Sequence, residues 1–293
     1  MTTRSGTYLR KWGTIAVALL FAGIWLGAIP CLADSVSVTK VSFGGTPDYS
    51  YMSLSARPGA TQAFLLIDVE DAAATVILFA GGDGRLNLNP LGFGGNLQAN
   101  FLVRTRDFYA AHGIRVAIVD APSDAASFSN FRLTAEHAQD IQAVIAYLRH
   151  RFHDPVWLVG TSSGTVSETN VASRLSGNDG PDGLVLTSSV LVAPGASVFD
   201  TNLAAIKVPT LVVHHELDAC PATLFLGVPA LMAALTSARD LHLVSFTGGG
   251  PPVGNICDAF HWHGYLGIEA QVTNSIADFI LAHRSHGHGE HDH

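Results

Sequence analysis

From residue 75 to residue 283, short apolar runs alternate with stretches whose apolar positions recur at helical spacing. Few folds accept that order. A run such as TVILFA at 75–80, IRVAIV at 114–119 or VWLV at 156–159 lacks regular polar alternation, and strands buried on both faces read this way. GLVLTSSVLVA at 183–193, PTLVVH at 209–214 and LHLVSF at 241–246 continue the series. Helices are expected between them, at 98–112, 134–151, 163–176, 221–237 and 266–283. In the second of these, Ala138, Ile141, Val144, Ile145 and Leu148 share a face; in the last, Ile268, Val272, Ile276, Phe279 and Ile280 do. The alternation predicts an α/β fold: a mainly parallel central sheet with helices on both faces. Two earlier strands, VSVTKVSF at 36–43 and AFLLIDVE at 63–70, are joined without a helix and are expected to form an antiparallel edge. Few residues separate the run ending near Ala193 from the one beginning at Thr210, so no cap domain is expected. Open sheets of this kind bind ligands outside the carboxyl ends of their strands. The residues just after each strand are therefore where chemistry is to be sought.

Length and charge narrow the classes. The chain has 293 residues, of which only 14% are charged, and a formal net charge of −8. So apolar a chain is not a disordered one. An acidic body argues against nucleic acid as a partner, which needs clustered Lys and Arg, and against docking on an anionic membrane. The cations of the first eleven residues, Arg4, Arg10 and Lys11, precede the uncharged apolar run GTIAVALLFAGIWLGAI at 13–29 and then Pro30-Cys31-Leu32-Ala33. That three-part order predicts a secretory signal, residues 1–33, cleaved to leave Asp34 at the start of the mature chain. The alternatives are a retained membrane anchor and a lipid anchor on Cys31, for which Pro30 is poorly placed. With the signal removed, no membrane contact is expected, and the protein is predicted to be periplasmic or secreted. A single domain is expected over 34–283, followed by a His-rich tail at 284–293. Cys220 and Cys257 remain as an even pair in an oxidising compartment, expected as a disulfide rather than two buried thiols.

The chemistry-bearing residues follow strands. VWLV runs into Gly160-Thr161-Ser162-Ser163-Gly164, with a helix-compatible segment behind it. A serine in a sharp strand-to-helix turn is lifted above the sheet edge, and flanking glycines keep side chains out of the approach. A serine hydroxyl needs a base, and the base needs an orienting carboxylate. PTLVVH runs into His215-Glu216-Leu217-Asp218, and Phe260-His261-Trp262-His263-Gly264 stands just before the last helix. Ser162, Asp218 and His263 are the expected nucleophile, acid and base. Glu216 and Asp258 are alternatives for the acid, and His261 for the base; His214 and His215 are expected to be structural.

In these residues, and in the glycine turn at 81–84, the chain resembles the α/β-hydrolase family over roughly residues 60–283. The resemblance implies a Ser-His-Asp triad and an acyl-enzyme route for esters, thioesters or amides, with no cofactor and no metal. It implies two oxyanion donors: the Ser163 N–H and one from Gly81-Gly82-Asp83-Gly84, with Gly82 the first choice and Asp83 the next. The loop differs from many members of the family in carrying Ala80 where they have histidine. A Cys220–Cys257 bridge would clamp the acid loop to the base loop. The segment 84–96, with Leu86, Leu88, Leu91 and Phe93, is expected to wall the pocket or else to pack on itself. The substrate expected is a small-molecule or peptide acyl compound. Two other readings stand beside an esterase: a serine peptidase or amidase, and a non-catalytic exported binding protein whose His-rich tail captures metal.

Overall fold

A computed structural model describes, Met1 apart, residues 36–41, 49–95, 97–193 and 196–283. The expected signal and the His-rich tail lie outside the described residues. Within the unit running from Leu32 to His293, the chain begins with β1 (Val36–Val41), β2 (Tyr49–Arg57) and β3 (Ala60–Ile67). These pair antiparallel in sequence order. The β2 strand, YSYMSLSAR, was not expected. Its inward positions Met52, Leu54 and Ala56 alternate with serines, a period-2 pattern whose apolar members are too few to stand out. Pro58 and Gly59, the latter at φ +76°, turn it into β3, which begins three residues earlier than the sequence suggests.

β4 (Ala74–Phe79) is followed by a small ribbon, β5 (Leu88–Asn89) and β6 (Gly92–Phe93), then α1 (Phe101–Arg104) and α2 (Arg106–Ala111). These two short helices replace the single one expected at 98–112. They part at Thr105, whose hydroxyl turns back onto the Phe101 carbonyl. β7 (Ile114–Val119), α3 (Phe128–Phe131), α4 (Ala135–Phe152), β8 (Val156–Thr161), α5 (Gly164–Arg174), β9 (Gly183–Thr187), β10 (Pro209–His215), α6 (Val228–Ala234), β11 (Arg239–Phe246) and α7 (Glu269–Ala282) complete the order. The expected strand at 183–193 stops at Thr187 because Ser188 takes φ +42°. The expected helix at 221–237 contracts to α6, which Pro229 opens in its first turn.

Among the described residues the main sheet has nine strands, in the order β1-β2-β3-β7-β4-β8-β9-β10-β11. Pairing is antiparallel from β1 to β7 and parallel from β7 to β11. Helices cover both faces. Ile141, Val144 and Leu148 of α4, Val166 of α5 and Leu231 of α6 pack on one. Phe101 and Leu102 of α1, Tyr109 of α2 and Val272, Ile276 and Ile280 of α7 pack on the other. Successive strand residues divide between the two cores, Ile77 and Phe79 to the first, Val76 and Leu78 to the second. Burial on both sides is why these strands are unbroken apolar runs. Between β9 and β10 the described residues form two 3-10 turns, Val198–Asp200 and Leu203–Ala205, and no inserted domain.

Candidate active site

At the carboxyl end of β8 the chain reverses into α5 within two residues. Ser162 takes φ +52°, a left-handed conformation costly for a side chain other than glycine's. The glycines on either side have no room for anything larger. A Cβ on Gly160 would stand 2.5 Å from Glu168 Oε1, and one on Gly164 would run into the Phe79 carbonyl of the neighbouring strand. The spacing of the two glycines about the serine is thus a packing requirement of this turn.

Asp218 lies three residues past β10, buried, with its N–H on the His215 carbonyl. Its Oδ1 accepts from the Cys220 N–H at 3.0 Å, and its Oδ2 from the Thr223 hydroxyl at 2.8 Å. Nδ1 of His263 is 2.9 Å from the same Oδ2 and 3.0 Å from Thr223 Oγ1. Because Nδ1 faces a carboxylate, it carries the ring proton, and Nε2 is left with a free lone pair. Burial opposes ionisation of Asp218. The imidazoles of His214 and His263, with the Cys220 N–H, outweigh it and hold the carboxyl well below the usual carboxylate range. His214 acts from a distance of 3.6 Å, since its Nε2 is spent on the Thr223 carbonyl at 2.6 Å.

His263 is kept in place from three sides. Its carbonyl accepts from the Ser188 hydroxyl at 2.9 Å. Gly264 packs so closely on the Ala259 carbonyl that a Cβ would collide. The buried Tyr265 hydroxyl donates to Val213 O at 3.0 Å, tying the segment that carries His263 to β10. A disulfide joins Cys220, two residues past Asp218, to Cys257, six residues before His263, with the two Cα atoms 4.8 Å apart.

The remaining candidates sit elsewhere. His261 is buried with its ring edge against Trp262. Glu216 is exposed and accepts from Ser245. Asp258 lines the cavity described below, but its Oδ2 accepts from the Asn255 N–H. His215 accepts at Nδ1 from the Leu217 N–H and donates from Nε2 to Gly248 O, so both ring nitrogens are used within its own loops. His214, expected to be structural, is buried with Nε2 on the Thr223 carbonyl, and the same nitrogen lies 3.6 Å from Asp218 Oδ2.

Ser162 and His263 line one cavity of about 230 Å³, together with Gly82 and Cys257. Gly81 packs on the serine so closely that a Cβ there would lie 2.9 Å from Ser162 Cβ; Gly82 follows at φ +61°. Among the described residues, neither the Gly82 N–H nor the Ser163 N–H has an internal acceptor; Gly82 follows β4 and lines the cavity, and Ser163 stands next to Ser162 at the head of α5. The apolar wall is formed by Leu97, Ala99 and Phe101; the segment 84–96, expected either to wall the pocket or to pack on itself, adds no described residue to the lining. Asp120, at the end of β7, accepts from the Leu86 and Leu88 N–H groups at 2.7 and 2.6 Å. That turns Leu86 and Leu88 into the core, while Leu91 points to solvent. Thr223 and Gly81 escaped sequence reasoning. A threonine five residues past Asp218 carries no mark of its contacts with Asp218 and His263, and Gly81 was one of several glycines in the turn.

No protein-family model matches this sequence, and no curated protein matches it. Solved structures do. An esterase from Pyrococcus furiosus superposes with a TM-score of 0.57 at 13% identity, over 80% of this chain and 92% of that one. A lidless α/β serine hydrolase from Xanthomonas campestris gives 0.51 at 16% identity, covering 80% and 93%. A dienelactone hydrolase from Anabaena variabilis gives 0.51 at 16%, covering 85% and 97%. With the sheet order, the two helical layers and this coverage, the chain has the α/β-hydrolase fold.

Proposed function

We propose that this protein is an exported serine hydrolase that cleaves an ester or related acyl bond through Ser162, His263 and Asp218. The supporting observation is a single cavity shared by a serine in left-handed backbone and an imidazole whose Nδ1 is bound to a buried carboxylate. The solved structures of like fold include esterases, which agrees with this chemistry.

In the proposed reaction Ser162 Oγ attacks the acyl carbonyl as its proton passes to Nε2 of His263. Asp218 holds the resulting imidazolium. The carbonyl electrons collect on an oxyanion facing the Ser163 and Gly82 N–H groups, donors that need no rearrangement as the charge develops. Collapse breaks the bond to the leaving group, which takes the proton from His263. Water then repeats the sequence on the acyl-enzyme: His263 accepts its proton, the hydroxide attacks, and Ser162 leaves with that proton. Nucleophile, base and oxyanion donors all come from the chain, so the scheme calls on no cofactor.

A cavity of about 230 Å³ has room for roughly eight water-sized groups. With Leu97, Ala99 and Phe101 as walls, it favours a short acyl group of a small-molecule substrate. Residues 1–33 direct export in this reading, and N-terminal sequencing of the exported protein should find Asp34. A fluorophosphonate probe tests the chemistry. Wild type should be labelled at Ser162 and Ser162→Ala should not; absence of labelling in wild type, or equal labelling of the variant, overturns the reading.

A further inference from the structure

Arg132, just past α3, is 1% exposed, and among the described residues it forms no ion pair. Removing a guanidinium from water without a paired carboxylate is expensive, and an apolar side chain of similar volume would ordinarily serve stability better. Its contacts suggest what it is for. Nη2 donates to the Ala80 carbonyl at 2.9 Å, the last carbonyl before Gly81 and Gly82. Nη1 donates to Ser167 Oγ at 2.6 Å, one turn into α5, the helix that opens immediately behind Ser163. The guanidinium lies 4.4 Å from the Phe128 ring centroid. Gly84, at φ +69°, closes over it so tightly that a Cβ would clash with Nη2 and with the Phe128 ring.

The two proposed oxyanion donors ride on different pieces of chain: Gly82 on the loop after β4, Ser163 at the head of α5. Nothing in the sheet pairing fixes the loop against the helix, because both lie beyond the last paired residues. We propose that Arg132 is a positioning residue that clamps the Gly81–Gly84 loop to α5 and so aims both N–H donors at one point. This rests on the hydrolase reading above. Donors must lie about 2.7–3.1 Å from the developing oxyanion, and a displacement of about 1 Å can cost roughly a hundredfold in rate. Burial lowers the guanidinium to about 9, against the attraction of Asp83, which leaves it a cation at neutral pH. The clamp therefore also sets a fixed positive charge beneath the loop.

The test uses Arg132→Met, Arg132→Lys and Ser167→Ala, each checked for fold by circular dichroism. With a short-chain ester, Arg132→Met should lose roughly thirtyfold in kcat with KM within about twofold, because the clamp acts on the transition state and not on substrate binding. Arg132→Lys, which keeps the charge and one donor, should recover part of the rate, and Ser167→Ala should lose a few-fold. A folded Arg132→Met with wild-type kcat, or one in which KM carries the change, overturns the proposal. If Arg132→Met does not fold, kcat within twofold of wild type in both other variants does so. Amide hydrogen exchange of peptides spanning 80–86 and 162–168 needs no activity: exchange should be faster in the variants. If wild type proves inert to esters and probe alike, the hydrolase reading has failed, and unchanged exchange in folded variants would then remove the clamp as well.

Discussion

Removing the Cys220–Cys257 bridge should weaken the fold and the proposed active site together. The bridge closes a sequence separation of 37 residues, for which the chain-entropy relation assigns about 4 kcal/mol to the constraint on the unfolded chain. For a domain of this size each kcal/mol moves Tm by roughly 2–4 °C, so Cys220→Ser/Cys257→Ser should melt roughly 8–16 °C lower. The effect on rate has a different origin. Between β11 and the turn at Trp262–Gly264 the chain runs without a helix or strand, and Val253, Ile256 and Phe260 are exposed. The disulfide ties this open segment to the acid loop at the cavity wall. Without it, His263 keeps its bond to Asp218, but the segment leading to it drifts, and kcat should fall about tenfold. Scanning calorimetry gives the first quantity, and ester hydrolysis below the transition gives the second. A Tm within 2 °C of wild type would refute the entropic argument. A lowered Tm with unchanged kcat would show that the bridge has no part in the site. Two thiols alkylated in the native, unreduced protein would remove the premise of both.

Three further outcomes are expected. His263→Ala should lose several orders of magnitude in ester hydrolysis while His261→Ala keeps most of it, because of the two it is His263 whose Nδ1 lies 2.9 Å from Asp218; reversed behaviour assigns the base to His261. Gly81→Ala, whose Cβ would stand 2.9 Å from Ser162 Cβ and 3.0 Å from the Thr161 carbonyl, should displace the serine and lower kcat by roughly tenfold or more at similar Tm, and a wild-type rate would count against close packing of the loop on the nucleophile. Burial raises the Glu168 carboxyl well above its ordinary value, only partly offset by the backbone at Gly160. A folded-state pKa above the unfolded one means that wild type loses stability as pH climbs from about 4.3, whereas Glu168→Gln does not. The stability difference in favour of the variant should therefore grow with pH in urea titrations between pH 5 and 8, and parallel pH profiles would show that Glu168 is not buried as the acid.

The order of strands and helices was readable because each parallel strand is buried on both faces. Val76 through Phe79 and Val156 through Val159 fill two cores at once, so no polar residue interrupts the run. The serine turn was readable for a related reason. Gly160 and Gly164 are demanded by contacts with Glu168 and Phe79, and a steric demand on backbone leaves a mark in composition. The β2 strand left a weaker one, its outward positions being serines and its inward ones including Ala56.

Candidates for acid and base could be placed after a strand and before a helix, and Asp218 and His263 preferred among them, but the contact between these two is a matter of tertiary structure. His261 and His263 differ by two residues; which one meets Asp218 depends on how the turn at Trp262–Gly264 is held by Ser188, Ala259 and Tyr265. Thr223, His214 and Arg132 belong to the same class. Each is an ordinary polar residue in the chain, and each is singled out by contacts with residues 5, 4 and 52 positions away respectively. The wall of the cavity shows the limit most plainly. Leu86 and Leu88 have the apolarity of a pocket lining, yet the Asp120 carboxylate takes both of their N–H groups and folds them inward, leaving Leu97, Ala99 and Phe101 to face the serine. Periodicity records which residues avoid water. It does not record which of them a distant carboxylate will pull into the core, because that contact exists only once strands far apart in the chain lie side by side.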